Sequence, residues 1–109
     1  LLDTGTNPNL KDIEGLTALH RSSQNGQISL VRLLLERGRN IHIDEKDKDG
    51  KSALHWAAEN GHAEVATLLM EKGADVNAIE PVFRYTPLHT AAWNGHESVV
   101  RRLLEKKPN

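Results

Sequence analysis

Six histidines and one acidic loop are the residues of this sequence best equipped for catalysis or metal binding. Thr17-Ala-Leu-His20, Ser52-Ala-Leu-His55 and Thr86-Pro-Leu-His89 recur at intervals of 35 and 34 residues, so their histidines occupy equivalent places in successive layers. Packed helix layers lie about 10 Å apart, whereas zinc holds its ligands at about 2 Å, so these three do not converge on one ion. His62 and His96 follow glycines and serve the turns there, and His42 lies solvated in a long loop. His55 and Glu59, one helical turn apart, read as an exposed contact. Glu45-Lys-Asp47-Lys-Asp49-Gly50 begins like a calcium loop, but its twelfth position is Trp56 and not the bidentate Glu such a loop requires. The absence of cysteine excludes disulfides, thiolate catalysis and Cys-zinc sites. Phosphate loop, HExxH and nucleophile elbow are all missing, so no catalytic residue, metal or cofactor is assigned and the chain reads as a non-enzyme.

The elements that carry these histidines repeat with them. Gly26, Gly61 and Gly95 follow at the same spacing. Behind each comes an apolar helical pattern: Leu30, Val31, Leu33 and Leu34; Val65, Ala66, Leu68 and Leu69; Val99, Val100, Leu103 and Leu104. Thr17, Ser52 and Thr86 can N-cap a short helix through the hydroxyl, with Pro87 at N1 and His20, His55 and His89 at N3 in a capping-box arrangement. Gly26, Gly61 and Gly95 supply a left-handed turn into a second helix. The pattern predicts helices near 17–25, 52–60 and 86–94, each paired with a longer one near 28–37, 62–72 and 96–106. A single pair cannot bury its apolar face, so the pairs must stack.

These residues and their period resemble the ankyrin repeat and its T-P-L-H-x-A core. The resemblance covers the whole chain as one all-α ankyrin-repeat solenoid, 1–109, of stacked helix–turn–helix pairs joined by β-hairpin-like loops. Residues 1–11 form a partial repeat, 12–44 repeat 1, 45–78 repeat 2 and 79–109 repeat 3, a possible C-terminal cap. Repeat 3 departs from the pattern in two places. Glu80-Pro-Val-Phe-Arg84 lacks the Asp-x-x-Gly of Asp12–Gly15 and Asp47–Gly50, which allows another loop shape. Arg102 takes the place of Leu33 and Leu68, a charge suited to a terminal seam. In repeat 1, Ser22-Ser23 replaces the Ala-Ala of the other two.

Of 109 residues, 14 are basic and 15 acidic, scattered without a stripe, which argues against nucleic acid as a partner. No apolar run reaches the roughly 20 residues of a membrane helix, and no signal peptide is evident. The chain therefore reads as an intracellular domain, cytoplasmic or nuclear, without a small-molecule substrate. A first residue of Leu1 suggests a piece of a larger protein.

What the resemblance implies for function is protein binding through loop tips and the concave face of the first helices. The matching candidates are Lys48, Asp49, Lys51, Val82, Phe83 and Tyr85 on the loops, and Trp56, Glu59, Asn60, Trp93 and Asn94 on the helices. All four aromatic residues fall in this set, and aromatics are favoured binding anchors. Two other expectations accompany it. The array could be the regulatory or targeting segment of a larger enzyme or channel. Alternatively, Leu69-x5-Asp75-Val76-Asn77 resembles an asparagine-hydroxylation pattern, which makes Asn77 a possible modification site.

Overall fold

The computed structural model describes residues 7–105. They form six helices: α1 (Ala18–Gln24), α2 (Ile28–Arg37), α3 (Ala53–Glu59), α4 (Ala63–Glu71), α5 (Pro87–Trp93) and α6 (Glu97–Glu105). Short α1, α3 and α5 pack side by side as one layer, and α2, α4 and α6 lie behind them as the second. Among the described residues no strand forms, and the hairpin-like loops between repeats are held by turn hydrogen bonds instead.

Each short helix begins in the same way. The hydroxyls of Thr17, Ser52 and Thr86 accept the backbone N–H of His20, His55 and His89, at 3.2–3.3 Å. In return, each ring Nδ1 accepts the N–H of its cap residue at 3.0–3.2 Å. Two backbone donors that a helix start leaves open are thereby satisfied. Each short helix ends on an Asn followed by a left-handed glycine. At the end of α1, Gly26 (φ +71°) donates its N–H to Ser23 O and Gln27 donates to Ser22 O, the pair of bonds that closes a helix C-terminus.

The core lies between the layers and runs along the stack through Val31, Leu54, Val65, Leu69 and Val99, all buried. Small residues keep the short helices close: Ala57, Ala58 and Ala91 are fully enclosed. Ser22 and Ser23 take the same places in repeat 1. Ser22 Oγ donates to Ala18 O at 3.0 Å, whereas Ser23 Oγ is buried with no partner among the described residues. In repeat 3, the Arg102 guanidinium turns toward α4 and donates to Thr67 Oγ1 at 2.7 Å, so this charge faces repeat 2.

Candidate functional site

Three loop fingers project beside the short helices, and an acid closes each. Asp12 donates its N–H to Leu16 O and accepts the N–H groups of Glu14 and Leu16 on Oδ1. Asp47 repeats this with Lys51, Asp49 and Lys51 in turn. The third loop keeps that shape despite its different sequence. Glu80 N–H donates to Tyr85 O at 3.0 Å, and its carboxylate accepts the N–H groups of Val82, Phe83 and Tyr85 at 2.8–3.2 Å. One added residue is spanned by one added methylene, and Arg84 (φ +61°) takes the left-handed position that Gly15 and Gly50 hold. Glu80 is only 2% exposed. Burial works to raise its pKa, but three backbone donors outweigh it and hold the group below the usual carboxylate range. Asp12 is also lowered, first by the Leu16 N–H.

The candidate binding residues divide into engaged and free. Trp56 is engaged: half-buried, it donates its indole N–H to Asp47 Oδ2 at 2.9 Å. The Lys51 ammonium sits 4.6 Å from the Trp56 ring centroid and 3.0 Å from Glu59 Oε1. Trp56, Lys51 and Glu59 thus brace repeat 2, and Glu59 pairs with Lys51 and not with His55. Asn60 and Asn94 each donate to a backbone carbonyl of the preceding helix turn, Trp56 O and Thr90 O. Asn60 also reaches Gln24 O of the previous repeat. Tyr85 is half-buried, in ring contact with both Phe83 and His89 at centroid distances of 5.5 and 5.6 Å. By contrast, Val82, Phe83 and Trp93 are 65%, 70% and 77% exposed. Lys48 and Asp49 stand exposed at the second finger tip. Phe83, Tyr85 and Trp93 flank a cleft of about 370 Å³ with Lys51, Glu59, Glu80, Thr90 and Asn94.

Four of the histidines, His20, His55, His62 and His96, lie outside this cleft and join the repeats. Since backbone carbonyls only accept, Nε2 must carry the proton. His20 Nε2 donates to Glu45 O at 2.8 Å and His55 Nε2 to Tyr85 O at 3.0 Å, each reaching into the next repeat. His62 and His96 reach backward, to Gln24 O and Glu59 O, at 3.0 and 2.8 Å. Their rings occupy the space above the turn glycines. A Cβ at Gly26 or Gly61 would fall 2.5 Å from His62 Nδ1 or 2.7 Å from His96 Nδ1, whereas one at Gly95 would meet nothing within 4 Å among the described residues. Gly26, Gly61 and Gly95 all have positive φ. His20 and His55 are buried, and desolvation lowers both pKa values despite the carbonyls they serve. His42 is exposed, 3.4 Å from Glu45. Asn77 is exposed in the loop after α4, its N–H donated to Asp75 Oδ1.

Glu80 matches no motif in the sequence. Its signal was an acid near the place where Asp12 and Asp47 open the first two fingers, displaced by one residue from their register.

A family model described as ankyrin repeats (3 copies) matches residues 1–80, and one described as ankyrin repeats (many copies) matches residues 64–104. No match is found among curated proteins. Among the described residues no helix is long and apolar enough to cross a membrane. Matched over most of its length and built from capped helix pairs in two layers, the chain belongs to the ankyrin-repeat family, whose repeats are generally protein–protein interaction modules and typically non-catalytic.

Proposed function

We propose that this array binds a partner protein through the groove and finger tips of repeats 2 and 3, without catalysis. One observation carries the reading: Val82, Phe83 and Trp93 are large, apolar and mostly exposed, and Phe83 and Trp93 flank one cleft. Neither ring closes the core, which is aliphatic. Exposed aromatics beside a charged rim, here Lys48 and Asp49, match the way interface energy is distributed. Trp56 contributes by shaping the groove floor, and Tyr85 by supporting Phe83.

The test is affinity capture on the intact array beside Phe83→Ala/Trp93→Ala and Arg32→Ala, the last on the exposed face of α2. A partner held by the wild type and by Arg32→Ala, and lost from the double variant, supports the groove. In titration with that partner, Trp93→Ala should cost about 2 kcal/mol or more. Retention by the double variant with loss on Arg32→Ala places the partner on the helix backs and defeats the reading.

Asn77 supports a second, compatible role as a hydroxylation site, because its side-chain amide stands exposed while only its backbone is tied down. Intact mass of protein from its native source would show one added oxygen. An unshifted mass would remove this role.

A further inference from the structure

The finger acids differ in what serves them from the side. In repeat 1, Arg21 Nε donates to Asp12 Oδ2 at 2.9 Å, and its Nη2 reaches Glu14 at 2.7 Å. In repeat 2 the equivalent residue is Trp56, which donates to Asp47 Oδ2 at 2.9 Å. In repeat 3 it is Thr90, too short to do the same. Among the described residues no side chain donates to Glu80, and no Lys or Arg pairs with it. Each carboxylate oxygen has two lone pairs. Glu80 Oε2 takes Val82 N–H at 2.8 Å and only the longer, 3.3 Å branch of a bond that Phe83 N–H shares with Oε1, so one of its lone pairs is weakly served. The step down from Arg21 and Trp56 to Thr90 also leaves space: Glu80 and Thr90 line the 370 Å³ cleft that Phe83, Tyr85 and Trp93 flank.

We infer that this cleft receives an arginine side chain of the partner protein, its guanidinium donating to Glu80 and lying against the Trp93 and Phe83 rings. The inference rests on the groove of repeat 3 being the partner site. Three features favour arginine. A buried carboxylate without a cation attracts one, and charge-assisted bonds are the strong ones. A guanidinium is planar, so it can stack on an aromatic ring while its edge donates. The molecule also sets its own precedents along the same groove. Arg21 occupies this position against Asp12, and the Lys51 ammonium lies over Trp56 beside a carboxylate. Lys51 also lines the cleft, but Glu59 at 3.0 Å neutralises its charge.

The test uses the ¹⁵N-labelled intact array and two peptides, acetyl-Gly-Arg-Gly-amide and the same peptide with norleucine in place of Arg. Signals of the Trp93 indole and the Phe83 and Asn94 amides report on the cleft. The arginine peptide should shift them saturably and bind about tenfold more tightly than the norleucine peptide. Trp93→Leu should weaken the arginine peptide by about fivefold. Thr90→Arg, in which the chain fills its own cleft, should abolish its binding. Should Thr90→Arg misfold, Trp93→Leu at an exposed position keeps the test intact. Equal or tighter binding of the norleucine peptide at the same signals overturns the arginine assignment and leaves the groove reading standing. Saturable shifts confined to α2, α4 and α6 defeat both. No saturable shift at all defeats the inference alone.

Discussion

The seam between repeats and the groove of repeat 3 are built on the same short helices, yet they treat their side chains in opposite ways. At the seams, small and polar residues are enclosed and matched. His55 accepts the Ser52 N–H on one ring nitrogen and donates to Tyr85 O with the other, so that one ring caps its own helix and holds the next finger. In the groove, large residues are left open: Phe83 and Trp93 are mostly exposed, and Glu80 is buried with no Lys or Arg paired to it among the described residues. The first region spends its chemistry on stacking. The second carries aromatic surface that stacking does not use, and the proposed partner site rests on that surface.

His55 and His89 allow the sharpest break in that comparison, because they occupy one position of the repeat in two settings. His55→Ala removes a cap, opens a cavity and takes from Tyr85 O its bond across the seam, leaving only the Glu80 N–H, and should cost about 3 kcal/mol. His89 makes the same cap but, among the described residues, its Nε2 holds no carbonyl of another repeat, so His89→Ala should cost about 1 kcal/mol. Urea melts of the two variants measure the difference. Equal losses would mean that the cross-seam bond contributes nothing.

Acid probes the seams together. Burial keeps His20 and His55 below their ordinary pKa, so below about pH 6.5 the unfolded chain takes up protons that the folded chain refuses. Stability is therefore complete above that pH and falls as the pH drops through the folded-state values. Protonation also removes the Nδ1 acceptor on which each capping box depends. Asp12, Glu45 and Glu80, all lowered in the fold, add a second decline below about pH 4.5. Urea midpoints from pH 8 to pH 4 should descend in these two stages. A flat profile between pH 7 and pH 5 would contradict the histidine assignment.

One substitution should act with the opposite sign. Ser23 Oγ is buried without a partner among the described residues, where repeats 2 and 3 have alanine. Ser23→Ala should stabilise the array by about 1 kcal/mol, read as a raised urea midpoint at unchanged slope. A lowered midpoint would show that the hydroxyl is satisfied in solution.

The period of Thr/Ser-x-Leu-His and of the turn glycines carried the helix pairs and their caps, because capping and left-handed turns are local and written in adjacent residues. What crosses between repeats was not legible in the same way. His62 looks like a turn residue in the chain, and only stacking brings its Nε2 to Gln24 O in the repeat before. Trp56 reads as a binding candidate, and only the folded finger sets Asp47 against its indole N–H. Glu80 was hidden by a one-residue insertion and by the change from Asp to Glu, which together preserve the turn while erasing its motif. Local rules wrote the elements, and the contacts between layers decided which aromatics remained free.

The central claim is that the groove aromatics of repeat 3 do not hold the fold. Urea unfolding of Phe83→Ala/Trp93→Ala beside the wild-type array tests it most directly. The midpoints should agree within about 0.5 kcal/mol at equal slope, as for surface substitutions outside a core. A loss of about 2 kcal/mol or more would show that these rings support the helix layer, and the distinction between seam and groove would fail.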